Sequence, residues 1–293
     1  MIILFVVLLV IPSFVAAQTP EQRPNPYGEL FIAQFSSAPF PHPLRTQGHT
    51  YDGVLYSPEE HYCDSSVAMF IPNGYKPGDR VDLVFHFHGW FNNIDTTLER
   101  YHLAQQFAES GKNAILVVPE GPRNAPDSFG GKLEDRDGFK KLVDDVLQYL
   151  SAKKKTRTTR VGKIILSGHS GGYHVMSFIL TRGGLTEHIK EVYLFDALYG
   201  QTEKFVHWLD SYNVRLLDVY TDSGGTREET MSLASDLDAW GIPHFDGELE
   251  QTGSTELQQN KFIFLHTPLP HDQVMQARLT FREFLRSSCL DDH

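Results

Sequence analysis

Gly168-His169-Ser170-Gly171-Gly172 sets one hydroxyl among small residues. The apolar run Ile164, Ile165, Leu166 precedes it, and Val175, Met176, Phe178, Ile179 and Leu180 follow with the composition of a buried helix. A serine in G-x-S-x-G at a sharp strand-to-helix turn is held in a strained backbone conformation that lifts its Oγ toward substrate. Small neighbours let strand and helix approach closely. The N-terminus of the following helix points at the same spot and favours a developing oxyanion. Ser170 is therefore the candidate nucleophile. A serine hydroxyl is weak until a base takes its proton, and an imidazole base needs a carboxylate to hold its tautomer and stabilise the imidazolium.

The elements that must position such a group follow from apolar patterning. Ser65 to Ile71 and Tyr51 to Tyr56 read as early strands, with Pro72-Asn73-Gly74 as a turn. Val81 to His86 is a strongly apolar strand running into His88-Gly89-Trp90. Thr96 to Ser110 has helical periodicity, stopped by Gly111. Ala114 to Val118 reads as a buried strand, and the polar loop from Glu120 to Asp137 follows it. Gly138 to Leu150 is the clearest helix, with Phe139, Leu142, Val143, Val146, Leu147 and Leu150 on one face. Strands Ile189 to Phe195, Val214 to Tyr220 and Lys261 to His266 alternate with helices to the end of the chain. This alternation predicts an α/β fold with a mainly parallel central sheet, helices on both faces and no large cap domain.

With these motifs in place, the chain from about Ser65 onward resembles the α/β-hydrolase superfamily, in its secreted serine esterase and lipase-like branch. The resemblance rests on G-H-S-G-G at Ser170, H-F-H-G-W at Gly89 and P-H-D at His271. It implies the chain order Ser, acid, His, with His271 as base after the last strand. Two acids remain open: Asp196 in L-F-D-A-L-Y-G is preferred, and Asp222 in T-D-S-G-G-T is the alternative, which also reads as a turn or cap. The resemblance also implies an oxyanion hole made by the backbone N–H groups of Trp90 and Gly171. His88, Gly89, His169 and Tyr199 are expected around the substrate. Trp90, Phe91, Phe129, Tyr173 and Tyr199 are expected to offer an acyl or aryl pocket. His86 and His88 share one strand face, but no third ligand stands at a metal-binding spacing, so neither metal nor cofactor is implied.

The 293 residues are 41% hydrophobic and 22% charged, which suits one large core, and the net charge of −11 disfavours nucleic acid and anionic membrane as partners. The basic run Lys153-Lys154-Lys155 reads as a solvated loop. Residues 1–17 carry an apolar core and then Val15-Ala16-Ala17, the pattern of a signal peptide cleaved near Gln18, although no Lys or Arg precedes the core. The run is short for a membrane span, so no stable span is expected after cleavage, and the product is secreted or periplasmic. Residues 18–50, rich in Pro, Gln and Ser, read as an N-terminal arm, and 51–293 as the α/β-hydrolase domain. Cys63 and Cys289 are expected to form a disulfide on export, with two free thiols as the alternative. The expected activity is hydrolysis of small-molecule or polymeric carboxylic esters through an acyl-enzyme. A serine peptidase on the same fold and a non-catalytic binding protein are the rival readings.

Overall fold

A computed structural model describes residues 21–293. The expected signal peptide lies outside the described residues. The strands are β1 (Glu21–Arg23), β2 (Gly28–Gln34), β3 (His49–Tyr51), β4 (Val54–Tyr56), β5 (Ser66–Pro72), β6 (Val81–Phe87), β7 (Ile115–Pro119), β8 (Val161–His169), β9 (Ile189–Phe195), β10 (Arg215–Thr221), β11 (Phe245–Glu248) and β12 (Phe262–Thr267), and the central ones, β5 to β9, are rich in β-branched and aromatic residues. The helices are α1 (Pro58–His61), α2 (Ile94–Arg100), α3 (Leu103–Glu109), α4 (Gly138–Ala152), α5 (Gly172–Arg182), α6 (Thr202–Ser211), α7 (Arg227–Ala239), α8 (Ser254–Gln259) and α9 (Thr280–Arg286).

Ten strands form one sheet in the order β1-β2-β5-β7-β6-β8-β9-β10-β12-β11. From β7 to β11 every pairing is parallel, while β1, β2 and β5 join antiparallel at one side. The mainly parallel α/β architecture read from the sequence is the one found. Side chains alternate across the sheet: Leu83, Phe85 and Leu166 enter the core with α4, α5, α6 and α7, and Val84, Ile165 and Tyr193 enter the core with α3 and α9. Among the described residues, no helix is long and apolar enough to cross a membrane.

Four local expectations change. The stretch read as an arm supplies β1 and β2, because Leu30 and Phe31 are apolar enough to pair with β5 and bury. Tyr51 to Tyr56 is not one strand of the sheet; residues 49–56 make a separate hairpin turned by Asp52 and Gly53, both at positive φ. The helix expected from Thr96 to Ser110 breaks into α2 and α3 at His102, whose φ is 49°. The polar stretch after α7 contains β11 and α8, too polar for their apolar pattern to stand out.

The cysteines are unpaired. Cys63 precedes Ser66, whose strand is level with the C-terminal end of β7 at Pro119, while the Cys289 N–H bonds Glu191 near the start of β9. The two thiols therefore belong to opposite ends of the sheet, beyond the reach of a disulfide.

At that second end, the buried Glu191 accepts from Arg215 Nη1 (2.9 Å), the Tyr193 hydroxyl (2.7 Å) and the Cys289 N–H (2.6 Å). Removing the carboxylate leaves the largely covered Arg215 guanidinium without its counter-charge. Glu191→Ala is expected to cost about 3–5 kcal/mol, seen as a lower urea midpoint at unchanged slope.

Candidate active site

Strand β8 ends at His169 and α5 begins at Gly172, so the chain reverses over Ser170 and Gly171. Ser170 has φ 52°, the left-handed region that a non-glycine residue enters only when its surroundings hold it there. Its N–H donates to the Phe195 carbonyl of the neighbouring strand at 3.3 Å. Gly89 explains the close approach from the other side: a Cβ there would stand 2.5 Å from Ser170 Cβ. A Cβ on Gly172 would stand 2.5 Å from the Phe87 carbonyl oxygen. The two glycines thus let the ends of β6 and β8 meet. Among the described residues, neither the Trp90 nor the Gly171 N–H has a backbone or side-chain acceptor. Two unused donors flanking a serine suit an oxygen that gains charge during reaction.

His271 lies just past β12, in a turn of 3-10 helix, and its Nδ1 is 2.6 Å from Asp196 Oδ2. Asp196 follows β9 at φ 46°, and its own N–H is tied to the Val219 carbonyl at 2.7 Å. The carboxylate is wholly buried and also accepts from the Thr221 hydroxyl (2.8 Å), the Thr221 N–H (3.3 Å) and the Thr226 hydroxyl. Burial pushes its acidity down, but the hydrogen bonds from His271, Thr226 and Thr221 outweigh burial and hold its carboxyl below the usual range. Gly224 is required beside it, since a Cβ there would sit 1.9 Å from Oδ2. The alternative acid, Asp222, points away: its side chain is 57% exposed and pairs with Arg227 (3.1 Å) and His266 (3.0 Å). Of the two carboxylates left open by the sequence, the structure joins His271 to Asp196.

Two histidines expected at the substrate lie beneath it instead. His169 is buried; its Nε2 donates to the His271 carbonyl (2.9 Å) and its Nδ1 accepts from the Tyr101 hydroxyl (3.1 Å). Burial, with His271 nearby, lowers its pKa to about 4, so it is neutral and holds the backbone of His271 in place. His88 is buried against Glu120 (3.1 Å), the Gly89 carbonyl (2.8 Å) and the Gly121 N–H (3.0 Å), and so braces the turn that carries Trp90. Both rings are spent on the protein itself. Tyr199 is at the surface, with its ring 6.4 Å from that of His271 and 5.9 Å from Tyr173. Burial and the charge of Asp196 raise its phenol pKa, with Ser170 acting in the other direction. Phe129, expected as a pocket wall, is half-buried against Phe40 and His42. His86, the other half of the metal pair, turns to the Ser167 hydroxyl (2.9 Å). Among the described residues no group of three or more His, Cys, Asp or Glu side chains is disposed to hold a metal.

No family model matches this chain, and no curated protein matches it. Solved structures do. A mutant feruloyl esterase module from Clostridium thermocellum, complexed with sinapinate, superposes with a TM-score of 0.51 at 11% identity, covering 78% of this chain and 84% of its own. A ferulic acid esterase superposes with a TM-score of 0.50 at 13% identity, covering 75% of this chain and 92% of its own. The chain has the α/β-hydrolase fold.

On this α/β-hydrolase fold, four further residues support the expected site. Thr221 and Thr226 frame the Asp196 carboxylate, Gly224 clears space for it, and Tyr101 orients His169. The repeat of threonine and glycine in T-D-S-G-G-T was the available signal, and it resembles any polar turn. A fifth group lies one strand over. Asp218 of β10 is wholly buried; Thr230 of α7 donates to one of its oxygens at 2.6 Å and the other has no partner among the described residues. Burial raises its pKa to about 7, with Asp196 adding to the shift. The folded chain therefore holds a proton that the unfolded chain releases above about pH 4, so stability falls as pH rises from about 4 to about 7. Asp218→Asn, which keeps an acceptor for Thr230, is expected to flatten that decline in a series of urea melts across this range.

Proposed function

We propose that this chain is a serine hydrolase that cleaves carboxylic esters through an acyl-enzyme. The observation that carries the reading is the 2.6 Å bond between His271 and the buried Asp196, beside a serine in the left-handed region. In this scheme His271 Nε2 takes the Ser170 proton as Oγ bonds to the acyl carbon. The carbonyl electron pair moves onto oxygen, which receives the Trp90 and Gly171 N–H groups. Asp196 keeps the other imidazole nitrogen protonated and offsets the charge that forms on the ring. The alkoxide leaves with the proton from His271. Water, deprotonated by the same imidazole, then releases the acid. The residues with named roles are Ser170, His271, Asp196, Trp90 and Gly171, and no metal or cofactor enters a step.

Strands β6 and β9 flank β8 on opposite sides, so Trp90 and Tyr199 rise on either side of Ser170. Aromatic walls favour an uncharged aryl or alkyl ester. The two similar structures described as feruloyl and ferulic acid esterases put hydroxycinnamoyl esters first in a substrate screen. Export through residues 1–17 belongs to the same proposal, and the intact mass of the exported chain, starting near Gln18, tests it.

Fluorophosphonate labelling of wild type and Ser170→Ala, read by intact mass, tests the chemistry. One adduct on wild type and none on the variant is the expected result. No adduct on folded wild type would overturn it in favour of a binding protein on the same scaffold.

A further inference from the structure

The β3–β4 hairpin stands outside the main sheet, yet its apolar side chains are turned outward. Tyr51, Val54, Leu55, Trp90 and Phe91 are between 40% and 61% exposed. An Asp-Gly turn with φ of 48° and 74° closes the hairpin, a geometry that matches strand twist and fixes register. The hairpin is continuous with the reacting serine. A Cβ on Gly171 would stand 2.9 Å from Trp90 Cδ1, Trp90 Nε1 donates to Ser128 Oγ at 2.8 Å, and the Tyr51 ring meets Trp90 edge-on at 5.1 Å.

The hairpin rests on a packed base through Tyr56. Phe40, Tyr62 and Ala125 form a small core with Tyr56 and Phe129. Arg45 caps it, bonded to Asp127 at 2.7 Å with its guanidinium 4.6 Å above the Phe129 ring. Backbone bonds from Phe91 N to the Ala125 carbonyl (3.1 Å) and from Asn124 N to the Asn92 carbonyl (2.8 Å) join the neighbouring loops. Folding thus has its own apolar contacts below, and the outer face is left uncovered. Tyr51 and Val54, paired across the hairpin, share one face of it with Trp90 and Phe91 alongside, and none of these four side chains is charged; Leu55, paired with Thr50, projects from the other face.

Resting on the ester-hydrolase reading, we propose that the β3–β4 hairpin, with Trp90 and Phe91, is the specificity element that binds an uncharged apolar extension of the ester substrate beyond the reacting carbonyl. The occupant is the hydrocarbon or aryl tail of the substrate itself, because Trp90 bridges the candidate nucleophile and the hairpin: its ring lies beside Gly171 at one edge and meets the Tyr51 ring at the other. A polar or anionic tail would lose its hydration there with no partner in return.

The test compares p-nitrophenyl acetate with p-nitrophenyl dodecanoate below its micellar concentration. The enzymes are wild type, Val54→Ser, Tyr51→Ser and the Tyr51→Ser/Val54→Ser double variant; the two residues share one face of the hairpin. Each variant is expected to raise KM for the dodecanoate about tenfold at unchanged kcat, the signature of lost uniform binding, and to leave kcat/KM for the acetate within about twofold. Equal losses on both esters, or no change on either, overturn the proposal. A wild type that dimerises through the hairpin, becoming monomeric in the double variant by light scattering, overturns it in favour of a contact between copies. If wild type cleaves neither ester and takes no fluorophosphonate, the hydrolase reading itself fails; cleavage of both with no effect of the hairpin variants fails only the specificity element.

Discussion

Ser170→Ala and His271→Ala are each expected to lower kcat for ester cleavage by about 10⁶-fold, and the double variant to lower it no further. Groups that act as one unit lose nearly all of their effect when either is removed. A base without a nucleophile has no proton to take, and a serine without its base is an ordinary alcohol. What remains comes from the Trp90 and Gly171 N–H groups, which still hold the oxyanion of a water attack, at about 10³–10⁴-fold over water. Both side chains are part-exposed, so neither variant should disturb the core. Matched melting curves with kcat on p-nitrophenyl acetate make the measurement. Multiplicative losses in the double variant would mean that the two residues act separately, and the acyl-enzyme scheme would fall.

The second large effect separates two aspartates that look alike in the sequence. Asp196→Asn is expected to lower kcat/KM by about 10⁴-fold, and Asp222→Asn to stay within about threefold. An asparagine at 196 fills the same space between Thr221 and Thr226, but its amide can present N–H to His271 Nδ1 and so hold the wrong tautomer. Among the described residues Asp222 has only Arg227 and His266 as partners, both at the surface. Steady-state rates at pH 8 for the two variants decide it. A reversed order would move the acid to Asp222 and require the loop after β10 to rearrange in solution.

The parallel strands were legible because each is a short apolar run bounded by turn residues, and β9 from Ile189 to Phe195 has the bounds read from its sequence. The elbow was legible because few other arrangements need glycine on both sides of one serine. The acid was only partly so. Asp196 and Asp222 follow adjacent strands, and what separates them is burial by α7, contributed through Thr226, which no local pattern announces. His88 and His169 neighbour the candidate oxyanion and nucleophile positions in sequence, which points them at the substrate; side-chain direction at a strand end, set by the pleat, turns both inward. The hairpin was blurred for a different reason. Tyr51, Val54, Leu55 and Tyr56 together read like one strand, and only the Asp-Gly turn between them marks a separate hairpin.

The unbridged thiols at the two ends of the sheet carry a consequence for how the chain is made. No disulfide joins distant segments, so folding waits on no oxidant or disulfide isomerase. Dithiothreitol should leave refolding yield and rate unchanged, and a reducing bacterial cytoplasm is a sufficient host for producing the folded chain.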